Sequence, residues 1–136
     1  MRSSGFTGFL GSGVLAGVVW GWIAMALNSL TGAFPYEASL ASNLAGFSFA
    51  GAVFGVMASC FLFVFGRFMP FKGVLPKAVI TSGGLWFFLW GFSMILAFLD
   101  SGRYHFAASQ AMQGLALSLL MGAILSMVVR KGCDAQ

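Results

Sequence analysis

Four long runs of apolar residues dominate this sequence and limit what the chain can fold into. The runs cover about 6–27, 44–65, 78–99 and 106–129, and none contains a charged side chain. A helix needs about 20 consecutive apolar residues to cross the hydrocarbon core of a bilayer. Lipid offers no hydrogen-bond partners, so a spanning segment satisfies its own backbone as a helix. We therefore predict an all-α integral membrane protein, a four-transmembrane-helix bundle that forms one domain over residues 1–136.

The composition excludes an ordinary soluble domain. Charged residues make up 7% of the chain and hydrophobic residues 60%, whereas a soluble domain carries about 25% charged residues. The net charge of +4 comes from basic residues scattered at the ends of the apolar runs. A nucleic-acid binder would gather them on one face. The predicted partners are the lipid bilayer and other membrane chains or further copies of this one, and not nucleic acid.

The basic residues also predict the orientation of the bundle. One side carries Arg2, Arg67, Lys72, Lys77, Arg130 and Lys131, and the other side carries Arg103 alone. Cytoplasmic loops have an excess of Lys and Arg over loops on the opposite side. We therefore predict an inner or plasma membrane protein with both termini in the cytoplasm.

The connections suggest hairpins. Residues 100–103 form a turn so short that the third and fourth helices must be antiparallel neighbours. In addition, Trp20-Gly21-Trp22 in the first run is similar to Trp90-Gly91-Phe92 in the third. Two tandem helical hairpins that arose by duplication are one interpretation. Chance similarity within a restricted set of residue types is the other.

Small residues recur every four positions in three of the runs. They are Gly13, Gly17 and Gly21 in the first, Gly51 and Gly55 in the second, and Gly114, Ser118 and Gly122 in the fourth. This spacing places small residues on one helix face and lets two backbones approach closely. The faces either join the four helices or meet another protein chain. In the second case Gly17→Leu would weaken assembly and change migration on a native gel.

A second set of residues is polar and clusters near the predicted outer surface. It comprises Asn28, Asn43, His105, Gln110 and Gln113. These side chains either form a pocket for a quinone head group, a lipid or a permeating ion, or join helices by hydrogen bonds. As the single histidine, His105 is also explained as an interfacial anchor.

Motifs for catalysis, metal binding or a cofactor are not found in the sequence. One histidine does not make a bis-histidine haem site, and the methionines are too dispersed for a cluster of soft ligands. No serine has a histidine and an acid arranged about it. We predict a chain that is not an enzyme, with no catalytic residues, no metal and no cofactor of its own.

Three stretches carry a resemblance to a known family. They are Asn43-Leu44-Ala45-Gly46 with Gly51, Ile80-Thr81-Ser82-Gly83-Gly84, and Gly102-Arg103-Tyr104 followed by Ser118 and Gly122. In these the chain resembles, in divergent form, the small four-helix fluoride channels. The resemblance implies Asn43, Phe88 and Ser118 as channel-type residues. The family's arginine in the first helix has no counterpart here, and residues 85–90 replace its Thr- and Ser-rich phenylalanine motif.

The leading functional hypothesis is a non-catalytic four-helix membrane subunit that packs through its Gly and Ser faces into an oligomer or a larger membrane complex. One alternative is a small ion channel, divergent from the fluoride channels. Another is an accessory subunit beside a quinone- or haem-bearing neighbour.

Overall fold

The computed structural model describes residues 5–33, 39–102 and 107–134, with side chains described as far as Arg130. Within these ranges the chain forms four α-helices and no strand. They are α1 (Phe6–Thr31), α2 (Leu40–Phe65), α3 (Val74–Leu99) and α4 (Ala108–Asp134). Each helix is long and apolar enough to cross a membrane. The prediction of four long apolar helices is confirmed.

The helices extend beyond the apolar runs by about one turn at several ends. At the start of α2, Ser39 accepts a hydrogen bond from the backbone N–H of Ser42 at 3.3 Å. In α3, Pro76 is tolerated in the first turn, where backbone N–H groups have no partner within the helix. Gly32 ends α1 with a φ of 63°, a left-handed conformation that glycine adopts without strain.

This extension corrects one expectation. Charged side chains were expected only outside the helices, but Lys77 lies in the first turn of α3 and Arg130 lies near the end of α4. The terminal turns project past the apolar segment, so a helix of 26 residues, about 39 Å long, can carry charge at its ends.

The four helices form an up-down-up-down bundle. The contacts are most extensive between α1 and α2, then between α3 and α4, and then between α1 and α4. The α2–α3 pair is the loosest of the neighbouring pairs. We call the end with the α2–α3 loop, which carries Arg67 and Lys72, the basic end. The opposite end, where α1 and α3 end and α2 and α4 begin, is called the hairpin end.

Most phenylalanine side chains point outward, whereas most buried residues are small, with Leu62, Met121 and Leu125 among the larger buried side chains. Phe49, Phe88 and Phe98 are 73%, 70% and 90% exposed, whereas Ala16 and Ala58 are completely buried. Among the phenylalanines of the described residues, Phe9 alone is buried. Soluble proteins bury most of their large apolar side chains. The outer surface is therefore apolar, and the interior consists largely of small residues.

The α1–α2 contact leaves no room for side chains. A Cβ atom added to Gly17 would overlap the carbonyl oxygen of Gly51, and one added to Gly51 would overlap that of Gly17. One turn away, a Cβ at Gly55 would overlap the carbonyl oxygen of Gly13. The two backbones are thus in direct contact, the arrangement that small residues spaced by four permit. Gly21 meets the carbonyl of Phe47 in the same way.

The small face of α4 packs against α3. Ser82 donates its hydroxyl to the carbonyl oxygen of Ser118 at 2.7 Å. A Cβ at Gly122 would lie 2.6 Å from the Oγ of Ser82, and one at Gly114 would lie 2.5 Å from the indole nitrogen of Trp86. All three small-residue faces therefore contact neighbouring helices of the same chain.

We expect Gly17→Leu to destabilise the folded bundle itself, because its side chain would have to displace the backbone of α2. The expected loss in the free energy of unfolding is at least about 3 kcal/mol, at the upper end of overpacking effects. Gly11 lies on the same helix, and a Cβ there meets no atom within 4 Å. Gly11→Leu should therefore stay within about 0.5 kcal/mol of wild type. Denaturation in detergent, followed by circular dichroism, measures both. Equal stability of the two variants would contradict this account.

Candidate functional site

The polar residues of α4 lie against the end of α1 at the hairpin end. Thr31 donates its hydroxyl to the side-chain oxygen of Gln113 at 2.6 Å. Gln110 donates its amide to the carbonyl oxygen of Ala33 at 3.0 Å. Gln113 is buried, and so is Asn28, which lies one turn before Thr31. The two glutamines therefore connect α4 to α1.

The remaining members of the predicted polar pocket are Asn43 and His105. Asn43 is half-buried in the first turn of α2, where its backbone N–H bonds to the carbonyl of Ser39 at 2.9 Å. His105 lies outside the described residues. The structure thus brings Gln110 and Gln113 together with the end of α1. The binding of a ligand among these residues stays a prediction.

A further hydrogen bond joins α1 and α4 at mid-length. Trp20 donates its indole N–H to the carbonyl oxygen of Leu117 at 2.6 Å. The Trp20 ring also packs on Phe54 of α2, with ring centroids 5.3 Å apart. One side chain therefore contacts both neighbours of α1.

The three channel-type residues occupy different environments. Asn43 lies near the hairpin end, and Phe88 lies midway along α3 with its ring 70% exposed. Ser118 is buried in α4, and its hydroxyl bonds to the carbonyl oxygen of Leu115 at 2.8 Å. Phe88 lines the groove described next, whereas Asn43 and Ser118 are not among its lining residues.

An apolar groove of about 380 Å³ lies between α2 and α3. We call it the α2–α3 groove. Its walls are Phe61, Phe65 and Met69 on the α2 side, and Ile80, Thr81, Gly84, Leu85 and Phe88 on the α3 side. A volume of this size falls in the range of about 300–1,000 Å³ that is typical of small-molecule sites.

The side chains in the walls explain why the groove stays open. Phe61 and Phe65 stack on each other along α2, with centroids 5.6 Å apart. Gly84 has no side chain, and a Cβ there would meet no atom within 4 Å. The close glycine contacts seen between α1 and α2 have no equivalent among the wall residues. The walls therefore stand apart in their middle part.

At the basic end the walls are joined by polar contacts. Lys77 donates its ammonium group to the carbonyl oxygen of Gly66, which ends α2, at 2.6 Å. One turn further along α3, Thr81 donates its hydroxyl to the carbonyl oxygen of Lys77 at 2.7 Å and lies 4.0 Å from the sulfur of Met69. The ammonium group of Lys77 is favourable at the C-terminal end of α2, because the last carbonyl groups of a helix carry partial negative charge.

Metal ligands do not cluster in the part of the chain that the structure describes. Within it, no group of three His, Cys, Asp or Glu side chains could bind a metal ion. Cys60 is a half-buried free thiol in α2.

Comparison with known proteins yields no match: no family model matches the sequence, and no curated protein or solved structure matches it either. The resemblance to fluoride channels stays a prediction.

Two features were missed by reasoning from the sequence. Thr31, the partner of Gln113, follows the first apolar run and was not among the polar residues predicted to form a pocket. The groove was missed because its walls come from the second and third apolar runs, whose similar composition does not indicate an open space between them. The available signal was Gly84, a glycine outside the spacing-by-four pattern, together with the three basic residues between the second and third runs.

We expect the hydrogen bond between Thr31 and Gln113 to contribute measurable coupling. In a double-mutant cycle of Thr31→Val and Gln113→Leu, the coupling free energy should be about 0.6 kcal/mol, the average for such contacts in membrane proteins, and at most about 1.7 kcal/mol. Ser93 bonds only within its own helix, to the carbonyl of Leu89 at 2.9 Å. The control cycle of Ser93→Ala and Gln113→Leu should be additive within about 0.5 kcal/mol. Additivity in both cycles would show that the contact does not join the helices.

Proposed function

We propose that this chain is a four-span integral membrane protein that serves as a non-catalytic subunit of an oligomer or a larger membrane complex. In this arrangement α1–α4 cross the bilayer, and the basic end faces the cytoplasm. The observation that carries the proposal is that every helix exposes large apolar side chains, among them Leu15, Phe49, Phe88 and Met127.

The burial pattern supports insertion in lipid. In the most apolar stretch of each helix, only 17–39% of the residues are buried inside the bundle. The rest would expose apolar surface to water over the whole circumference of the bundle. Monomeric soluble proteins rarely expose apolar patches larger than a few hundred Å². Contact with lipid removes the free-energy cost of exposing this apolar surface to water.

The role of a subunit rests on two arguments. The first is that the sequence offers no arrangement of nucleophile, base and acid that would support catalysis. The second concerns the surface used for assembly. The faces of Gly13, Gly17 and Gly122 are occupied inside the chain, so contacts with another chain would use the exposed large side chains. This revises the expectation that the Gly and Ser faces themselves form the assembly interface.

Three measurements test the proposal in sequence. The protein should stay with the membrane after a sodium carbonate wash, because its helices contact lipid on most sides. A fluorescent reporter at the C-terminus should be active in the cytoplasm. An alkaline phosphatase fusion after Asp100 should be active outside it, and one after Lys72 should not. Release by carbonate would contradict insertion, and the reverse reporter pattern would contradict the orientation.

Native mass spectrometry of the gently extracted protein then distinguishes the functional hypotheses. Co-purified foreign chains would support the subunit hypothesis, and a co-purified haem or quinone in the assembly would support the accessory one. A homodimer without partners would fit both an oligomer of this chain and the channel alternative, and fluoride efflux from proteoliposomes would then support the channel.

A further inference from the structure

The α2–α3 groove is apolar along its length and basic at one end. Gly66 to Lys77, the segment that connects its two walls, contains Arg67, Lys72 and Lys77 and no acidic residue. Arg67 and Lys72 are exposed, and Lys77 is half-buried at the first turn of α3. An apolar cleft that opens beside three cations matches a molecule with an apolar tail and a negatively charged head.

Of the three cationic side chains, Lys77 has a defined position relative to the groove. Lys77 and Thr81 are four residues apart on α3, and Thr81 lines the groove, so the two side chains share one helix face. An ammonium group has three hydrogen-bond donors, and the contact with Gly66 uses one of them. The guanidinium of Arg67 lies 4.6 Å from the ring centroid of Phe68. The basic end therefore places Lys77 beside the groove, with Arg67 and Lys72 on the adjoining loop.

The length of the groove indicates what kind of molecule fits. The wall residues of α3, Ile80 to Phe88, span about 12 Å at 1.5 Å per residue, and the distance from Lys77 to Phe88 along the helix is about 16 Å. This is about half of the hydrocarbon core, which is about 30 Å thick. A groove that starts at the charged interface and ends near the bilayer centre has the length of one leaflet. A partner transmembrane helix would need contacts across the full thickness.

We propose that the α2–α3 groove is a binding site for an anionic phospholipid of the cytoplasmic leaflet. One acyl chain of the lipid lies in the groove, between Phe61, Phe65, Leu85 and Phe88. The phosphate of the same lipid contacts Lys77, Lys72 and Arg67. The site rests on the membrane insertion and orientation proposed above. Neither the subunit hypothesis nor the channel hypothesis requires this ligand.

Gly84 allows the groove to be filled by one substitution. It lines the groove, and a side chain there enters open space, so Gly84→Leu should fold while occupying the position of the acyl chain. The matched control is Gly91→Leu, two turns further along α3. A Cβ at Gly91 also meets no atom within 4 Å, and Gly91 is not a wall residue.

The experiment is native mass spectrometry of the full chain, purified in detergent and titrated with phosphatidylglycerol or with phosphatidylcholine of the same acyl chains. Wild type should retain phosphatidylglycerol at least about tenfold more strongly than phosphatidylcholine, because each basic residue near the head group contributes about a fivefold preference. Gly84→Leu should lose both lipids, and Gly91→Leu should behave as wild type.

A second variant tests the head-group contacts separately. Arg67→Gln combined with Lys72→Gln leaves the groove walls intact and should lower the retention of phosphatidylglycerol more than tenfold, with phosphatidylcholine unchanged. Circular dichroism confirms that each variant folds. If Gly84→Leu does not fold, this variant decides the proposal on its own.

Each result has a defined meaning. Equal retention of the two lipids by wild type would overturn the proposal, and so would unchanged phosphatidylglycerol binding in either variant. Loss of a co-purified protein from Gly84→Leu, with lipid retention unchanged, would identify the groove as a protein interface instead. The carbonate wash separates failure of this site from failure of membrane insertion, because an inserted protein can lack the lipid site.

Discussion

The direct backbone contact between α1 and α2 is the constraint on which the rest of the bundle depends. Because Gly17 and Gly51 have no Cβ, each backbone carbonyl reaches the Cα region of the opposite helix. This contact fixes the position of α1 along α2. Trp20 then contacts α4 from α1 at the carbonyl of Leu117. The position of α4 thus depends on the α1–α2 pair.

The position of α3 depends mainly on α4. Ser82 bonds to the carbonyl of Ser118, and Gly122 leaves space for the backbone of α3 near Val79. The link of α3 to α2 is weaker, and at the basic end it includes the contact between Lys77 and Gly66. A bundle closed tightly on three sides and loosely on the fourth contains a groove on that fourth side. The groove is therefore a consequence of where the small residues lie.

The hydroxyl groups of the buried serines are satisfied without charged partners. Ser59, Ser118 and Ser126 each bond to a carbonyl oxygen three residues earlier in their own helix, at 2.8–2.9 Å. In a low-dielectric interior an unsatisfied hydroxyl would be costly, and this local bond removes the cost without requiring another helix. Serine therefore acts here as a small residue that permits close packing. Ser82 and Gln113 differ because they bond between helices.

The sequence by itself determined the number of helices, their approximate bounds and their apolar character, because a run of about 20 apolar residues leaves the backbone few alternatives to a helix. Spacing by four also placed Gly13, Gly17 and Gly21 on one helix face. It did not determine which helix meets that face. The partner of Gln113, 82 residues away, and the groove at Gly84 were likewise decided by the tertiary structure. The reason is that apolar helices of similar composition differ little in their affinity for one another, so packing geometry selects the pairs.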